Sequence, residues 1–278
     1  MMKNTKQSLR KIVFYIFLAI VCGMIVFPFY WMVATSLTKG SMYSYPPSIF
    51  PIDISIQSYI SVFLERPMLR WIINTSIVSA VVIPATILIA LPAAYSLSRF
   101  KYRGKGLVSQ LILVTQMIPA TLIIIPVFLI FSKLQLTNTL YSLMILDTAF
   151  AVPISIWISK GFFDTIPFII EEAAFIDGCN HFGVLFRIDL PLILPGLVTV
   201  ILLTFLTVWH EFVFAITLVQ SEELRVVSIG LRYFKTQYFV PWNQLMAAAA
   251  IITIPIVIIF LGLEKMFVRG LTAGAVIE

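Results

Sequence analysis

Six apolar stretches, each long enough for a bilayer-crossing helix, set what this chain can fold into. They lie near Ile12–Leu37, Trp71–Leu97, Leu107–Phe131, Thr139–Ile158, Pro195–Val219 and Leu245–Leu263. A crossing takes about 20 helical residues. Hydrophobic residues make up 60% of the 278 positions and charged ones only 12%. A soluble domain would carry about a quarter charged residues, and so few charges cannot cover so much apolar surface. Lipid is therefore the solvent for much of the surface. The fold class is an all-α polytopic membrane protein with six transmembrane helices, and residues 1–278 form one transmembrane domain. Pro28, Pro84, Pro92, Pro119, Pro126, Pro153 and Pro255 fall inside the stretches. Neighbouring helices in a membrane re-satisfy the carbonyls that proline frees, so these positions read as kinks.

Orientation follows from the basic residues. Lys3, Lys6, Arg10 and Lys11 precede the first stretch, and Arg99, Lys101, Arg103 and Lys105 fill the loop after the second. Lys160 and Arg187 flank or lie in the segment after the fourth, and Lys265 and Arg269 follow the sixth. The opposite side holds only seven of the nineteen Lys and Arg residues. The positive-inside rule then places both termini and the segment 161–194 in the cytoplasm. The first stretch is longer than the apolar core of a cleavable leader and is expected to be an uncleaved signal-anchor. The net charge of +6 is explained by this topology, and no nucleic-acid partner is expected.

Catalytic chemistry is not written in the chain. His210-Glu211 opens a zinc-type pattern, but position 214 is Phe214, so the second histidine is missing. There is no G-x-S-x-G elbow and no Walker A loop, so the chain itself is not expected to hydrolyse ATP. Cys22 lies in an apolar stretch and Cys179 in the segment assigned to the reducing side, which argues against a disulfide. Two histidines without ligand spacing argue against a metal.

One polar island interrupts the apolar pattern: "EEAAFIDGCNHFGVLFRIDLPLILPG", Glu171 to Gly196. Residues 170–176 are good helix formers after Pro167, with Glu171 and Glu172 in the first turn, where the helix dipole favours anions. Gly178 is a natural break. Asp177 reads as the N-cap of a second helix over Gly178–Arg187, which Pro191 limits. Ala173 and Ala174 allow close approach of another surface, Glu172 offers a charge, and Phe175 and Ile176 can enter an apolar cleft. Such a helix suits docking into a groove, and it equally suits an amphipathic linker lying on lipid headgroups.

Glu172-Ala173-Ala174, three residues, Gly178, nine residues, Ile188, one residue, Leu190-Pro191 resembles the EAA signature of ABC-importer permeases at every fixed position. "QMIPATLIIIPVFLIF", "GFFDTIPFIIEEAAFIDG", "TVWHEFVFAITLV" and "FVRGLTAGAV" extend the resemblance to carbohydrate permeases, nearest to the smaller permease of maltodextrin-type systems. This chain ends Ile277-Glu278, where that family commonly ends Lys-Gly. The resemblance implies a non-catalytic subunit forming half of a translocation pathway in a bacterial or archaeal cytoplasmic membrane. It implies a second homologous permease, two ATPase subunits and an extracytoplasmic sugar-binding protein as partners. ATP and Mg would act on the ATPase, with no cofactor on this chain. Glu171, Glu172, Ala173, Ala174, Asp177 and Gly178 would form the ATPase-coupling site.

Polar groups inside a span cost about 2.5–3.5 kcal/mol for an acid at mid-span and so face protein or water. His210 and Glu211 with Trp209, and more weakly Asn74 and Gln116, are candidates to line or gate the path. Asn138 and Asp147 are similar. Each could instead serve as a buried structural hydrogen bond. Trp209, Phe212, Tyr233 and Trp242 offer aromatic faces of the kind that grip sugars, or simply pack. Cargo of the glycerol-phosphate or polyol type is the alternative. An ion-coupled carrier would need coupling acids and internal repeats that the chain does not display.

Overall fold

The computed structural model describes residues 2–39, 50, 53–235 and 240–273. Most of the proline-rich loop 45–53 and the last residues of the "GLTAGAV" tail lie outside them. Every element among the described residues is helical, and β-type pairing is limited to an isolated bridge between Thr38 and Ile54.

Among the described residues, four helices are long and apolar enough to cross a bilayer: α1 (Met2–Ser36), α3 (Met68–Arg99), α6 (Leu140–Asp164) and α13 (Trp242–Ala273). Each contains proline, and each continues through it. A short α2 (Gln57–Glu65) precedes α3.

The third and fifth apolar stretches are each broken into two helices. The third is α4 (Lys105–Thr115) followed by α5 (Ala120–Lys133), bent by 91°. Proline supplies the reason: Pro119 has no N–H and pushes its predecessor out of the helical region, so it serves as the N-cap of α5. The fifth is α10 (Leu194–His210) and α11 (Val213–Leu218), interrupted at Glu211 and Phe212. Between α6 and α10 run α7 (Phe168–Ile176), α8 (His181–Gly183), a π-helical turn over Val184–Asp189, and α9 (Leu190–Leu192). A 3-10 turn at Glu222–Leu224 and α12 (Val227–Arg232) precede α13.

The chain divides into two compact units. One comprises Met1–Met68 and Leu231–Thr253, the other Leu69–Gly230 and Ile254–Glu278. In the first, Ser36 and Tyr59 share a 2.7 Å hydroxyl hydrogen bond, and Arg66 donates to the Tyr233 carbonyl at 3.3 Å. Most side chains of α1 from Ile12 to Phe29 are exposed, as befits a helix whose surroundings are lipid or another subunit.

The second unit packs α6 against α10. The approach is close because Gly196 has no side chain: a Cβ there would lie 2.3 Å from the Phe162 ring. Gly230 does the same beneath Trp71, at 2.2 Å. One apolar core joins Val78 and Val82 of α3 to Leu143 and Leu146 of α6 and Phe214 and Leu218 of α11. A second, at the loop end, joins Ala94 and Tyr95 to Phe163, Ile166, Leu185 and Ile193.

Candidate functional site

Pro167 starts α7 by holding extended backbone at its N-cap, φ −62° and ψ 132°. The helix lasts two and a half turns. Gly178, at φ +88°, then ends it: its N–H donates to the Phe175 carbonyl at 3.1 Å, and the Cys179 N–H donates to the Ala174 carbonyl at 3.0 Å. This is the Schellman arrangement, which needs a left-handed residue just past the helix. Asp177 is therefore the C-cap of α7 and not the N-cap of a second helix. Asn180 caps that second helix, its Oδ1 accepting from the Gly183 N–H at 2.8 Å. The helical path also outruns the expected end at Arg187. Pro191 sits in the first turn of α9, where its missing N–H costs nothing, and the sharp bend comes at Ile193.

The loop thus has two arms meeting at Gly178, and His181 ties them at the corner. Its ring meets Phe175 of α7 edge-on at 4.9 Å and Phe100, just beyond α3, at 5.0 Å. A groove of about 550 Å³ runs along the second arm, lined by Asp177, Asn180, Phe182, Phe186 and Arg187 among others. The exposed face of the loop is apolar with acidic points. Ile169, Ile176 and Phe182 are 72%, 86% and 71% exposed, and Glu172, Ala173, Asp177 and Gly178 are exposed among them.

Two residues of the expected coupling set are not on that face. Ala174 is buried against the protein, and Glu171 is only 3% exposed. Helical periodicity explains this: 171 and 174 lie on one side of α7, while 172, 173 and 176 lie on others. Glu171 receives a hydrogen bond from Arg99 Nε at the end of α3, in an ion pair whose two side chains are each 4% exposed. Arg99 also donates to the Ile166 carbonyl at 3.0 Å and lies 4.6 Å from the centre of the Phe168 ring. Asp189, on the second arm, is fully buried beside this pair. Burial raises its carboxyl to about 6, Glu171 adds to the rise, and Arg99 opposes it. The sequence marks Arg99 only as one of the basic residues after the second stretch and gives Asp189 no role. The available signal was a lone acid inside the apolar run "IDLPLIL", which has to find a buried partner.

The candidate pathway residues do not share one place. Glu211, where α10 stops (φ −61°, ψ 119°), accepts from the N–H groups of Phe214 and Ala215, each at 2.8 Å. It thereby caps α11, and its own carbonyl accepts from the Ser228 hydroxyl. Trp209 beside it is 2% exposed and tilts against Phe205, whereas His210 is exposed with Nδ1 2.9 Å from the Leu206 carbonyl. Gln116 is exposed at the α4–α5 break. It donates to the Phe150 carbonyl at 3.3 Å and borders a hollow of about 230 Å³ with Thr115, Ile123 and Pro153. Asn74 is buried and donates to the Glu223 and Arg225 carbonyls at 2.8 and 2.9 Å, holding the segment before α12 onto α3. Asn138 does similar work at the α5–α6 turn, accepting from the N–H groups of Gln220 and Ser221. Among the described residues no group of three or more His, Cys, Asp or Glu is placed to hold a metal.

A bundle of apolar helices, two of its stretches broken, with a two-armed loop that exposes apolar and acidic side chains, defines the class: a polytopic membrane protein. A family model described as "Binding-protein-dependent transport system inner membrane component" matches residues 83–273, and the chain belongs to that family. It is 34% identical to a probable ABC transporter permease, YurM, of Bacillus subtilis, covering 94% of this chain and 87% of that protein. It is 33% identical to the trehalose/maltose transport system permease MalG of Thermococcus litoralis, covering 94% and 93%. Its fold is that of a chain in the crystal structure of a bacterial ABC transporter involved in alginate import, with a TM-score of 0.80 at 22% identity, covering 94% and 98%.

Proposed function

We propose that this chain is the permease subunit of an ATP-driven, binding-protein-dependent importer of a sugar or oligosaccharide. It supplies half of the translocation pathway. The observation that carries the reading is the EAA segment itself: it folds as a short helix with a Schellman end, presenting Glu172, Ala173 and Ile176 outward. Small residues let a groove close over the backbone, Ile176 fills it, and Glu172 meets a basic group. The related trehalose/maltose permease and the alginate transporter support carbohydrate as the cargo class.

The working assembly in this reading has a second homologous permease, two ATPase subunits below and an extracytoplasmic binding protein above. Both termini and the EAA loop face the cytoplasm, in keeping with the bias of Lys and Arg. ATP and Mg act on the ATPase. This chain contributes no catalytic group: it converts closure of the ATPase pair into helix movement, which requires a docking helix with different free energies in the two states.

The test is co-expression with a partner permease, ATPase and binding protein from the same organism, purification of the complex, and reconstitution into proteoliposomes. ATP-dependent uptake of a labelled sugar from a carbohydrate panel is expected. Uptake by the permease pair alone, driven by an ion gradient without the ATPase, would overturn the reading.

A further inference from the structure

Glu171, Asp164 and Asp189 all lie within electrostatic reach of Arg99, and in this arrangement Arg99 donates to Glu171 alone among them. Its Nε is held by Glu171, Nη2 by the Ile166 carbonyl, and Nη1 lies 3.4 Å from the Ser98 hydroxyl. The adjoining acid, Asp164, is already met by Lys160 at 2.5 Å and by the Ser98 hydroxyl at 2.6 Å. Asp189 is left over. It is 0% exposed, within electrostatic reach of Arg99 and Glu171, and neither of its carboxylate oxygens has a hydrogen-bond partner among the described residues.

A buried carboxylate without a donor is costly, and an amide or an apolar side chain would pack there at less expense. The cost makes sense if Asp189 is paired in another arrangement of the same parts. The nearby buried guanidinium is that of Arg99. Glu171 stands on the first arm of the loop and Asp189 on the second, and α7 packs against the π turn that ends in Asp189. Displacing α7 from the end of α3 would draw Glu171 away from Arg99 and leave Asp189 as the acceptor. A π turn suits this, since its wide ladder can tighten, and such turns concentrate at functional sites.

We infer that Asp189 is the alternate seat of the Arg99 guanidinium, occupied when α7 is displaced by the subunit docked on it, so that loop motion reaches α3 through an exchanged ion pair. Asp189 is then a positioning residue for transport. The inference rests on the proposed importer function. In that cycle one state holds Arg99–Glu171 and the other Arg99–Asp189, and neither leaves the guanidinium bare.

The experiment compares reconstituted complexes carrying wild-type chain, Asp189→Asn, Asp189→Glu, Arg99→Lys, and Asp189→Asn with Arg99→Lys. ATP-dependent uptake by wild type is scored first, and its absence counts against the function, not against the pair. Asp189→Asn is expected to assemble normally, keep basal ATP hydrolysis and melt no lower than wild type. It should lose uptake by about tenfold, the size of an ordinary coupling between sites. Asp189→Glu should recover part of that loss. The double variant should be no worse than the worse single one. Uptake by Asp189→Asn within about twofold of wild type, a multiplicative loss in the double variant, or failure of Asp189→Asn to assemble would each overturn the inference.

Discussion

Glu211 accepts the backbone N–H of Phe214 at 2.8 Å with one carboxylate oxygen while the other takes the N–H of Ala215. One side chain thus satisfies two of the donors that a new helix leaves open inside the fifth apolar stretch. A glutamine keeps one acceptor oxygen, and an alanine keeps none. Glu211→Ala is expected to destabilise the purified protein by about 1–3 kcal/mol, the cost of orphaning buried donors, with Glu211→Gln in between. Melting of the detergent-solubilised protein checks the order. Equal midpoints for all three would show that the cap contributes nothing.

The neighbouring glutamates Glu171 and Glu172 should separate cleanly. Glu171 is locked to Arg99 in a buried pair, so Glu171→Ala removes the acceptor held in this arrangement and should lower the melting midpoint, by less than the about 3–5 kcal/mol of a wholly unpaired buried charge because Asp189 is within electrostatic reach. Glu172 is exposed. Glu172→Ala should leave the melting midpoint where it is and reduce co-purification of the ATPase. Loss of folded protein in the Glu172 variant, or none in the Glu171 variant, would reverse the assignment of inner and outer faces.

These two residues also mark how far a sequence can be read. The apolar stretches, the EAA motif and the break at Gly178 are legible because each is a local rule: length, spacing, one residue type. Which of two adjacent glutamates turns inward is not local, because it depends on Arg99 arriving from 72 positions away. Asp177 resembles a cap because an aspartate before a presumed helix usually is one. The Schellman closure at Gly178 wins, and Asn180 takes the capping role. Asn74 and Glu211 resemble pathway groups because polar residues in apolar runs are costly. The structure shows that cost met by backbone carbonyls and amides, which no side-chain pattern announces.

Gly196 should tolerate no side chain. A Cβ would lie within 2.3–2.9 Å of three atoms of the Phe162 ring, so α6 and α10 would have to separate or the ring to move. Overpacking of this kind costs about 1–3 kcal/mol. Gly196→Ala is expected to lower the melting midpoint, and Phe162→Ala in the same chain to restore part of it by making room. If the double variant melts below both single ones, the contact between ring and glycine is not what limits the packing.

Asp189 gives a prediction in pH. Its folded carboxyl titrates near 6, above the ordinary 3.8, chiefly because it is buried, with Glu171 adding and Arg99 subtracting. A raised acid disfavours the fold once the unfolded chain can ionise. Below about 3.8 both states hold the proton and the penalty is absent; between the two values it grows; above about 6 both are ionised and it is constant. Asp189→Asn has no proton to lose and escapes the penalty. The variant is therefore expected to melt above wild type by a margin that is small near pH 4, widens up to about pH 6 and stays level to about pH 8. Melting curves of the two proteins in the same detergent at those pH values measure the margin directly. A margin that shrinks as pH rises would mean that Asp189 is stabilised by its charge in this arrangement, with Arg99 already shared between the two acids.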